Sequence, residues 1–272
     1  MLIASMLSLA LIACEKDPHN SNNGNNSENE EPILEIINDA VTDVDGNHYN
    51  AVRIGNQVWM SENLKTRHFA DGTAITVVDV PNGQADPGTV DYASALSSPH
   101  LYIVGNSTSH FYYNWSAAMH GASSSNSNPS GVQGVCPNGW HMPSEAEWQE
   151  LKDYCSSFIQ LQCDSCEYCI GKALAAADGW QNASGCPCCV GNNQGSNNAT
   201  GFSAMPIGFT TVNPNGEVFT VFGNRDAVIW STTRDDQGLI IMGANFSASG
   251  FYRMTESGLG EKSGCPVRCV RN

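Results

Sequence analysis

Cysteines crowd into one stretch of the sequence, at a spacing that metal sites and disulfide clusters share. The crowded set is Cys155, Cys163, Cys166, Cys169, Cys186, Cys188 and Cys189. The run Cys163-x-x-Cys166-x-x-Cys169 resembles the ligand spacing of iron–sulfur and zinc sites. Thiols of an exported chain oxidise instead, and ten of the 11 cysteines, an even number, remain once Cys14 is set aside. We therefore expect disulfides rather than a metal cluster, and the sequence leaves open how the crowded set and Cys265 pair.

Histidines and carboxylates offer few catalytic or metal-binding patterns. His141, in "CPNGWHMPSEAEW", has no second histidine or carboxylate at metal-ligand spacing, so we expect a structural loop histidine. Asp43-x-Asp45-Gly46 starts like a calcium loop, but Ile54 stands at the twelfth position, where such a loop carries glutamate. No Ser-His-Asp arrangement, H-x-x-E-H or paired-carboxylate motif surrounds the seven histidines. The sequence therefore predicts a protein that is not an enzyme and has no cofactor or metal site.

The strongest helix signal follows the turn residues of "CPNG". Ser144 is a good N-cap and Glu147 lies three residues on, which is the capping-box spacing. An apolar stripe follows at helical spacing, formed by Trp148, Leu151, Cys155 and Phe158. We expect a helix of about three turns that begins at Glu145 and packs through Trp148.

Strand signals lie on both sides of this helix. "VTDVDGNHYNAVRIGNQVWMSENL" predicts two tight hairpins, with turns at Asp45-Gly46 and Gly55-Asn56. Residues 70–110 show no sustained period and are expected to form long loops with a short strand at 101–104. Residues 111–121 predict a strand that runs into a short helix. Short strands and turns fill the chain after Gly201, so the fold class is α+β.

The composition excludes one class of partner. The 272 residues include 12 Lys plus Arg and 27 Asp plus Glu, for a net charge of −15. Nucleic-acid binding needs a basic stripe that displaces counterions, so a nucleic-acid partner is not expected. Hydrophobic residues at 41% and charged residues at only 14% indicate a globular chain with a weakly charged polar surface.

The N-terminus predicts an anchored and exported protein. Residues 1–13 are apolar and too few to span a bilayer, which takes about 20 residues. Leu11-Ile12-Ala13-Cys14 resembles the lipobox of bacterial lipoproteins, in which the cysteine is lipidated. No Lys or Arg precedes the apolar core, and the sequence leaves open whether the start codon lies upstream. Residues 14–32 are mostly Asn, Ser, Glu and Gly, which predicts a flexible tether, with the folded domain at 33–272. Glu15-Lys16-Asp17 resembles the surface-export signal of Bacteroidetes lipoproteins, or is an ordinary acidic tether.

Five motifs in order resemble one family. They are "VTDVDGNHYNAVRIGNQVWMSENLKT", "CPNGWHMPSEAEWQEL", "GFSAMPIGF", "IWSTT" and "VRCVRN". Residues 38–272 resemble the Fibrobacter succinogenes major paralogous domain, found in lipoproteins of Bacteroidetes and Fibrobacteres. The resemblance implies a C-type-lectin-like fold: a twisted antiparallel sheet whose first strand pairs with its last, one or two helices, and long irregular loops. It also implies a bridge between Cys136 and Cys269, while the cysteine-rich run near 155–200 departs from the family and is expected to be an insertion stapled by its own bridges.

The resemblance implies a cell-surface, outer-membrane lipoprotein that binds a glycan or protein ligand. Loops on a rigid scaffold suit recognition. The expected contact residues are Thr233, Arg234, Asp235, Asp236, Gln237, Asn245, Tyr252 and Arg253. Trp230 and Val267 are expected to be buried beneath them. The calcium-binding motifs of C-type lectins are absent from the sequence, so metal-dependent sugar binding is not expected.

Two alternatives stay open. A related fold hosts formylglycine formation, an oxidation that needs reactive cysteines, and Cys265 and Cys269 lie close together near the C-terminus. The other alternative is a structural component of a surface adhesion assembly. Co-purification from intact cells would separate that role from a free-standing receptor.

Overall fold

The protein is described by a computed structural model over residues 31–105, 107–164, 166, 168–255 and 260–272. The signal segment 1–13, Cys14 and the tether as far as residue 30 lie outside the described residues. The strands are β1 (Leu34–Thr42), β2 (His48–Ile54), β3 (Gln57–Met60), β4 (Thr76–Val80), β5 (Gln84–Ala85), β6 (His100–Val104), β7 (Phe111–Asn114), β8 (Trp140–His141), β9 (Phe209–Val212), β10 (Val218–Val221), β11 (Asp226–Asp235), β12 (Gly238–Asn245), β13 (Tyr252–Thr255), β14 (Gly264–Cys265) and β15 (Val270–Arg271). The α-helices are α1 (Tyr92–Ser97), α2 (Trp115–Met119), α3 (Glu145–Ser156) and α4 (Gly171–Leu174).

The first sheet has the order β1-β2-β3-β15-β8. Its two hairpins turn at the expected places. Gly55 lies in the second turn with φ of 61°. The position requires glycine, because a Cβ there would lie 2.7 Å from the ring of Tyr154. The expectation that the first strand pairs with the last is wrong. Val270 of β15 pairs with Trp59 of β3 and with His141 of β8, while β1 pairs with β2 at the edge. The chain end therefore fills the gap between the second hairpin and the segment that leads into α3.

The second sheet has the order β4-β6-β7-β14-β9-β10-β5. Three of its strands, β4, β5 and β6, lie within residues 70–110, where the sequence predicts long loops and one short strand. Residues 76–80 form β4, which pairs in parallel with β6 and buries Val78 and Val80 on one face. The Asp91 side chain caps the connecting helix α1 by accepting from the Ser94 N–H at 2.8 Å. The sequence did not predict β4, because Gly, Pro and Asp residues surround it and an alternation of only five residues gives a weak periodic signal. The strand at 100–104 and the strand and helix at 111–119 are confirmed.

The third sheet is the meander β11-β12-β13. Trp230 of β11 is fully buried, and its indole N–H donates to the Tyr113 carbonyl at 2.7 Å. Gly243 of β12 lies so close to β11 that a Cβ would stand 1.9 Å from the Ala227 carbonyl oxygen. Only glycine, which has no Cβ, fits at this position.

Helix α3 begins at Glu145 as predicted. The Ser144 hydroxyl accepts from the Glu147 N–H, and the Glu147 carboxylate accepts from the Ser144 N–H at 3.0 Å, which completes the capping box. Trp148 is fully buried, with its ring centroid 4.4 Å from that of Trp59 and 5.6 Å from that of Phe251. The helix thus joins the first sheet to the segment after β12.

The architecture is α+β and rich in strands. Four α-helices occur in the described residues, rather than one or two, and α3 is the longest of them. The strands form three sheets, including the parallel pair β4–β6, rather than a single antiparallel sheet. Within the described ranges, no helix combines the length and the apolar character that crossing a bilayer demands.

Candidate functional site

Four disulfides determine the environment of most of the cysteines. Cys136 and Cys269 are joined across 133 residues, and both are fully buried, so the bridge ties the segment before α3 to the residue before β15. The other three pairs are Cys163–Cys188, Cys166–Cys169 and Cys186–Cys189. The sulfurs of the 163–169 run are therefore bonded to other sulfurs, and the metal-ligand interpretation of that run is wrong.

The expectation that Cys155 belongs to the disulfide cluster of the cysteine-rich run is wrong. Cys155 lies on the buried face of α3, fully buried, and forms no disulfide in the described structure. Burial raises the pKa of its thiol to about 12. The helical stripe explains the difference, because Cys155 continues the apolar face that Trp148 and Leu151 bury in the core.

His141 is held by hydrogen bonds on both ring nitrogens, but it lies in the short strand β8 rather than in the expected loop. Its Nε2 lies 2.6 Å from Glu147 Oε1, and its Nδ1 lies 2.7 Å from the side-chain oxygen of Asn272. Burial works against the charged imidazole, yet the hydrogen bond and the charge of Glu147 hold the pKa of His141 above its ordinary value. Glu147 Oε2 also accepts from the backbone N–H of Ser130 at 3.0 Å. The histidine thus fastens the C-terminus to the start of α3.

Five of the eight expected contact residues gather around one end of the third sheet. We call this set, Arg234, Asp235, Asp236, Gln237 and Arg253, the charged surface; all five side chains are exposed. The β11–β12 turn at 236–237 carries two of them, and the neighbouring strands carry the others. Trp230 and Val267 are fully buried, as predicted.

Ion pairs organise the charged surface. The Arg253 guanidinium contacts both Glu145, at the start of α3, and Asp235. Arg234 contacts Glu261 and lies 5.9 Å from the centroid of the Trp115 ring. Asp235 Oδ1 accepts from the backbone N–H of Gln237 at 2.8 Å, and this bond with the Arg253 contact holds the pKa of Asp235 below its ordinary value. The two arginines therefore each carry an exposed carboxylate partner.

The three other expected residues stand apart from the charged surface. Thr233 is buried, and its hydroxyl donates to the Ser125 carbonyl at 3.0 Å and accepts from the Glu145 N–H at 2.9 Å. Asn245 lies at the far end of the β11–β12 hairpin, opposite Asp226, and donates to that side chain. Tyr252 is 44% exposed and its hydroxyl accepts from the Gly250 N–H at 3.0 Å.

A cleft of about 610 Å³ is lined in part by strands of the second sheet, and none of the expected contact residues lines it. Its apolar lining comes mainly from Val104, Tyr112, Met205, Pro206 and Ile207, and its polar lining from Asn82, Ser107, His110, Asp178, Thr220 and Asn224. Burial lowers the pKa of His110, which favours the neutral imidazole. The Thr220 hydroxyl oxygen is buried and has no hydrogen-bond partner among the described residues.

Sequence reasoning missed this cleft because five separate chain segments build it. The signals available were the asparagines, since Asn82 and Asn224 both adopt left-handed backbone conformations, with φ of 54° and 60°. Such conformations favour Asn and Gly, and they shape the loops at the rim. In the sequence the same residues read only as turn formers.

The cysteines invoked for formylglycine chemistry are not at a surface. Cys269 is bonded to Cys136, and both Cys269 and Cys265 are fully buried. A nucleophilic thiol must be reachable by its substrate. In the described structure both sulfurs are shielded from solvent.

Comparison with known proteins supplies the family and nothing closer. The model of the Fibrobacter succinogenes major domain matches residues 52–271, from the middle of β2 to the last residue of β15. Searches of curated proteins and of solved structures found no match. No cluster of three or more His, Cys, Asp or Glu side chains that could hold a metal ion occurs in the described part of the chain.

Proposed function

Because the chain belongs to the Fibrobacter succinogenes major domain family, we propose that it is a cell-surface lipoprotein that binds a glycan or protein ligand on a C-type-lectin-like scaffold. The match covers the folded domain from β2 to β15. The anchor proposal rests on the lipobox at Cys14 and the polar tether after it. A β-rich domain with long connections suits such a scaffold, because loops can vary while the sheets hold them in place.

The observation that carries the proposal is the charged surface. Five exposed polar and charged side chains share one end of a sheet whose base is fully buried around Trp230. A rigid base keeps the ordering cost of binding low, since little backbone must be fixed when a ligand arrives. The residues supply donors, acceptors and both signs of charge, which matches a polar ligand.

The ion pairs of the charged surface can exchange partners. Arg234 and its partner Glu261 are 43% and 40% exposed, and the Arg253 pairs are similarly accessible. Exposed pairs of this kind contribute only about 0–1 kcal/mol each, so a ligand carboxylate can replace Glu261 or Asp235 at low cost. The geometry therefore favours a protein ligand, or an acidic glycan, that offers carboxylates to the two arginines.

The cleft gives a second place for the same function. Its lining combines apolar side chains with amide and hydroxyl groups, and Asp178 is the one carboxylate among the described residues that line it. Pockets of this kind suit a small neutral ligand, such as a saccharide unit. The unpartnered Thr220 hydroxyl is a group that such a ligand could satisfy.

A glycan and protein array probed with residues 33–272 tests the proposal. The wild-type domain is compared with a charged-surface variant, Arg234→Ala with Arg253→Ala, and with a cleft variant, Ser107→Trp. A matched control removes the exposed pair Arg53–Glu35 on β2 and β1, whose Nε–Oε2 distance is 3.2 Å. We expect a hit that the charged-surface variant loses and the control keeps. A wild-type domain with no hit, or a hit that all variants keep, contradicts the proposal.

A structural role in an adhesion assembly would use the same surface. Co-purification from intact cells distinguishes the two roles, since a structural component stays with its assembly after ligand is removed. A receptor is released as a single protein.

A further inference from the structure

The disulfides of the cysteine-rich segment include two of an unusual kind. Cys166–Cys169 and Cys186–Cys189 each join residues three apart, whereas Cys163–Cys188 spans 25 residues. The stabilisation that a disulfide gives by restricting the unfolded chain grows with the length of the loop it closes. The two short pairs therefore do little to hold the fold, in contrast to Cys136–Cys269.

Both short pairs show the same pattern of exposure, with the first cysteine more exposed than the second. Cys166 is exposed and Cys186 is half-buried, while their partners Cys169 and Cys189 are only 7% and 3% exposed. The first cysteine of each pair is therefore more accessible to an incoming thiolate than the second. In thiol–disulfide exchange the attacking thiolate bonds to one sulfur and the other sulfur leaves, so a difference in exposure determines which sulfur is attacked.

The two pairs are neighbours. Cys163–Cys188 ties the two loops together, and Cys188 is adjacent in sequence to Cys189. Both buried sulfurs also lie against one short loop: Cys169 Sγ is 3.3 Å from the Ser249 hydroxyl, and Cys189 Sγ is 2.8 Å from the Ser247 carbonyl oxygen. The loop offers a partner to each sulfur after reduction, because a hydroxyl donates to a thiolate and a carbonyl accepts from a thiol.

We propose that Cys166–Cys169 and Cys186–Cys189 are redox-active disulfides that oxidise dithiols of proteins or peptides outside the cytoplasm. In this exchange a substrate thiolate attacks Cys166 Sγ, the S–S bond to Cys169 breaks, and Cys169 leaves as a thiolate. The second substrate thiol, as its thiolate, attacks the substrate sulfur of the mixed disulfide and releases Cys166. Two electrons pass to the pair, the two substrate protons end on the two cysteines, and the substrate gains one disulfide.

In the second pair, Cys186 is the cysteine that is attacked and Cys189 is the cysteine that leaves. Each pair reacts once per molecule, so the exchange itself needs no further oxidant. Ser249 is a positioning residue, since its hydroxyl faces the sulfur that leaves and not the sulfur that is attacked.

The first test is a titration of the oxidised full-length protein with dithiothreitol. This dithiol is uncharged, which avoids repulsion by a chain of net charge −15. Free thiols are alkylated at each step and located by peptide mapping. We expect both short pairs to open at a dithiothreitol concentration at least tenfold below that which opens Cys136–Cys269 and Cys163–Cys188. Opening of all four bridges together overturns the proposal.

The second test measures the polarity of attack. In Cys169→Ser the thiol of Cys166 is left alone, and in Cys166→Ser the thiol of Cys169 is left alone. We expect the first variant to react with an aromatic disulfide at least ten times faster than the second, and Cys189→Ser to react faster than Cys186→Ser by a similar factor. The rates are measured well below the melting temperature of each variant, because unfolding would expose both thiols and raise both rates together. Equal rates in the folded variants overturn the proposal.

Discussion

Single residues with buried polar groups hold the C-terminal end of the chain in place. His141 is only 4% exposed, and both of its ring nitrogens are engaged, one by Glu147 and one by Asn272. Glu147 in turn caps α3 and holds Ser130. Removing one member of a buried pair leaves the other charged group without its partner, and this costs more than the pair contributes when it is intact.

His141→Ala should therefore lower the free energy of unfolding by about 3 kcal/mol, as measured by urea denaturation. His48→Ala provides the control, because His48 pairs with Asp39 at the surface and its side chain is 66% exposed. We expect the control to change the free energy of unfolding by less than about 0.5 kcal/mol. Equal effects of the two substitutions would show that the buried network does not hold the C-terminus.

The same residue predicts a pH dependence. The pKa of His141 is raised in the folded state above its ordinary value of 6.5. A group with a raised folded pKa adds stability that is fully present below the unfolded pKa and is lost as the pH rises through the folded pKa. The difference in unfolding free energy between wild type and His141→Ala should shrink as urea titrations move from pH 6 to higher pH. A difference that grows with pH contradicts the assignment.

At the scale of elements, α3 is the piece that joins the sheets. Its apolar stripe of Trp148, Leu151 and Cys155 packs against β2, β3 and the segment around Phe251. The indole of Trp148 contacts Trp59, Phe202 and Phe251. Loss of this side chain would leave a cavity at the junction of three segments.

Trp148→Ala should lower the free energy of unfolding by about 3–5 kcal/mol, because it removes a fully buried indole and leaves a cavity. Gln149→Ala, at the next and exposed position of the same helix, should change it by less than about 0.5 kcal/mol. Urea unfolding of the two variants side by side makes the comparison. A small effect at Trp148 would mean that the helix does not join the sheets in the way described.

Elements that depend on neighbouring residues could be predicted from the sequence, and elements that depend on distant residues could not. The capping box of Ser144 and Glu147 and the hairpin turns at 45–46 and 55–56 are local, so the sequence specifies them. The parallel pairing of β4 with β6 and the insertion of β15 between β3 and β8 join segments far apart. The pairing of the crowded cysteines and the lining of the cleft depend on the same distant contacts.

At the scale of the molecule, the disulfide that closes the longest loop links the middle of the chain to its end. Cys136–Cys269 joins the segment before α3 to the strand that completes the first sheet. Arg268, next to it, is fully buried and donates to the side chain of Asn63 at 2.7 Å and to the Ser203 carbonyl at 2.7 Å. Disulfide and arginine together fix the last residues against three separate parts of the fold.

Replacing both Cys136 and Cys269 by alanine should lower the free energy of unfolding by up to about 5 kcal/mol, because the bridge closes a long loop. The matched control replaces Cys166 and Cys169 by alanine and should cost no more than about 2 kcal/mol, because that loop is short. Thermal melting and urea unfolding of the oxidised proteins give both values. The account of the chain end is wrong if the short bridge matters as much as the long one.

The central claim, that the expected contact residues of the third sheet bind a ligand, is tested most directly by an affinity titration. The ligand is the array hit, and the variant carries alanine at seven positions, namely Arg234, Asp235, Asp236, Gln237, Asn245, Tyr252 and Arg253. The control is the Arg53→Ala and Glu35→Ala double variant. We predict that the seven-position variant binds at least ten times more weakly than the wild type and keeps a melting temperature close to that of the wild type. We also predict that EDTA leaves wild-type binding unchanged. An unchanged affinity in the seven-position variant, or loss of wild-type binding on addition of EDTA alone, would contradict the account.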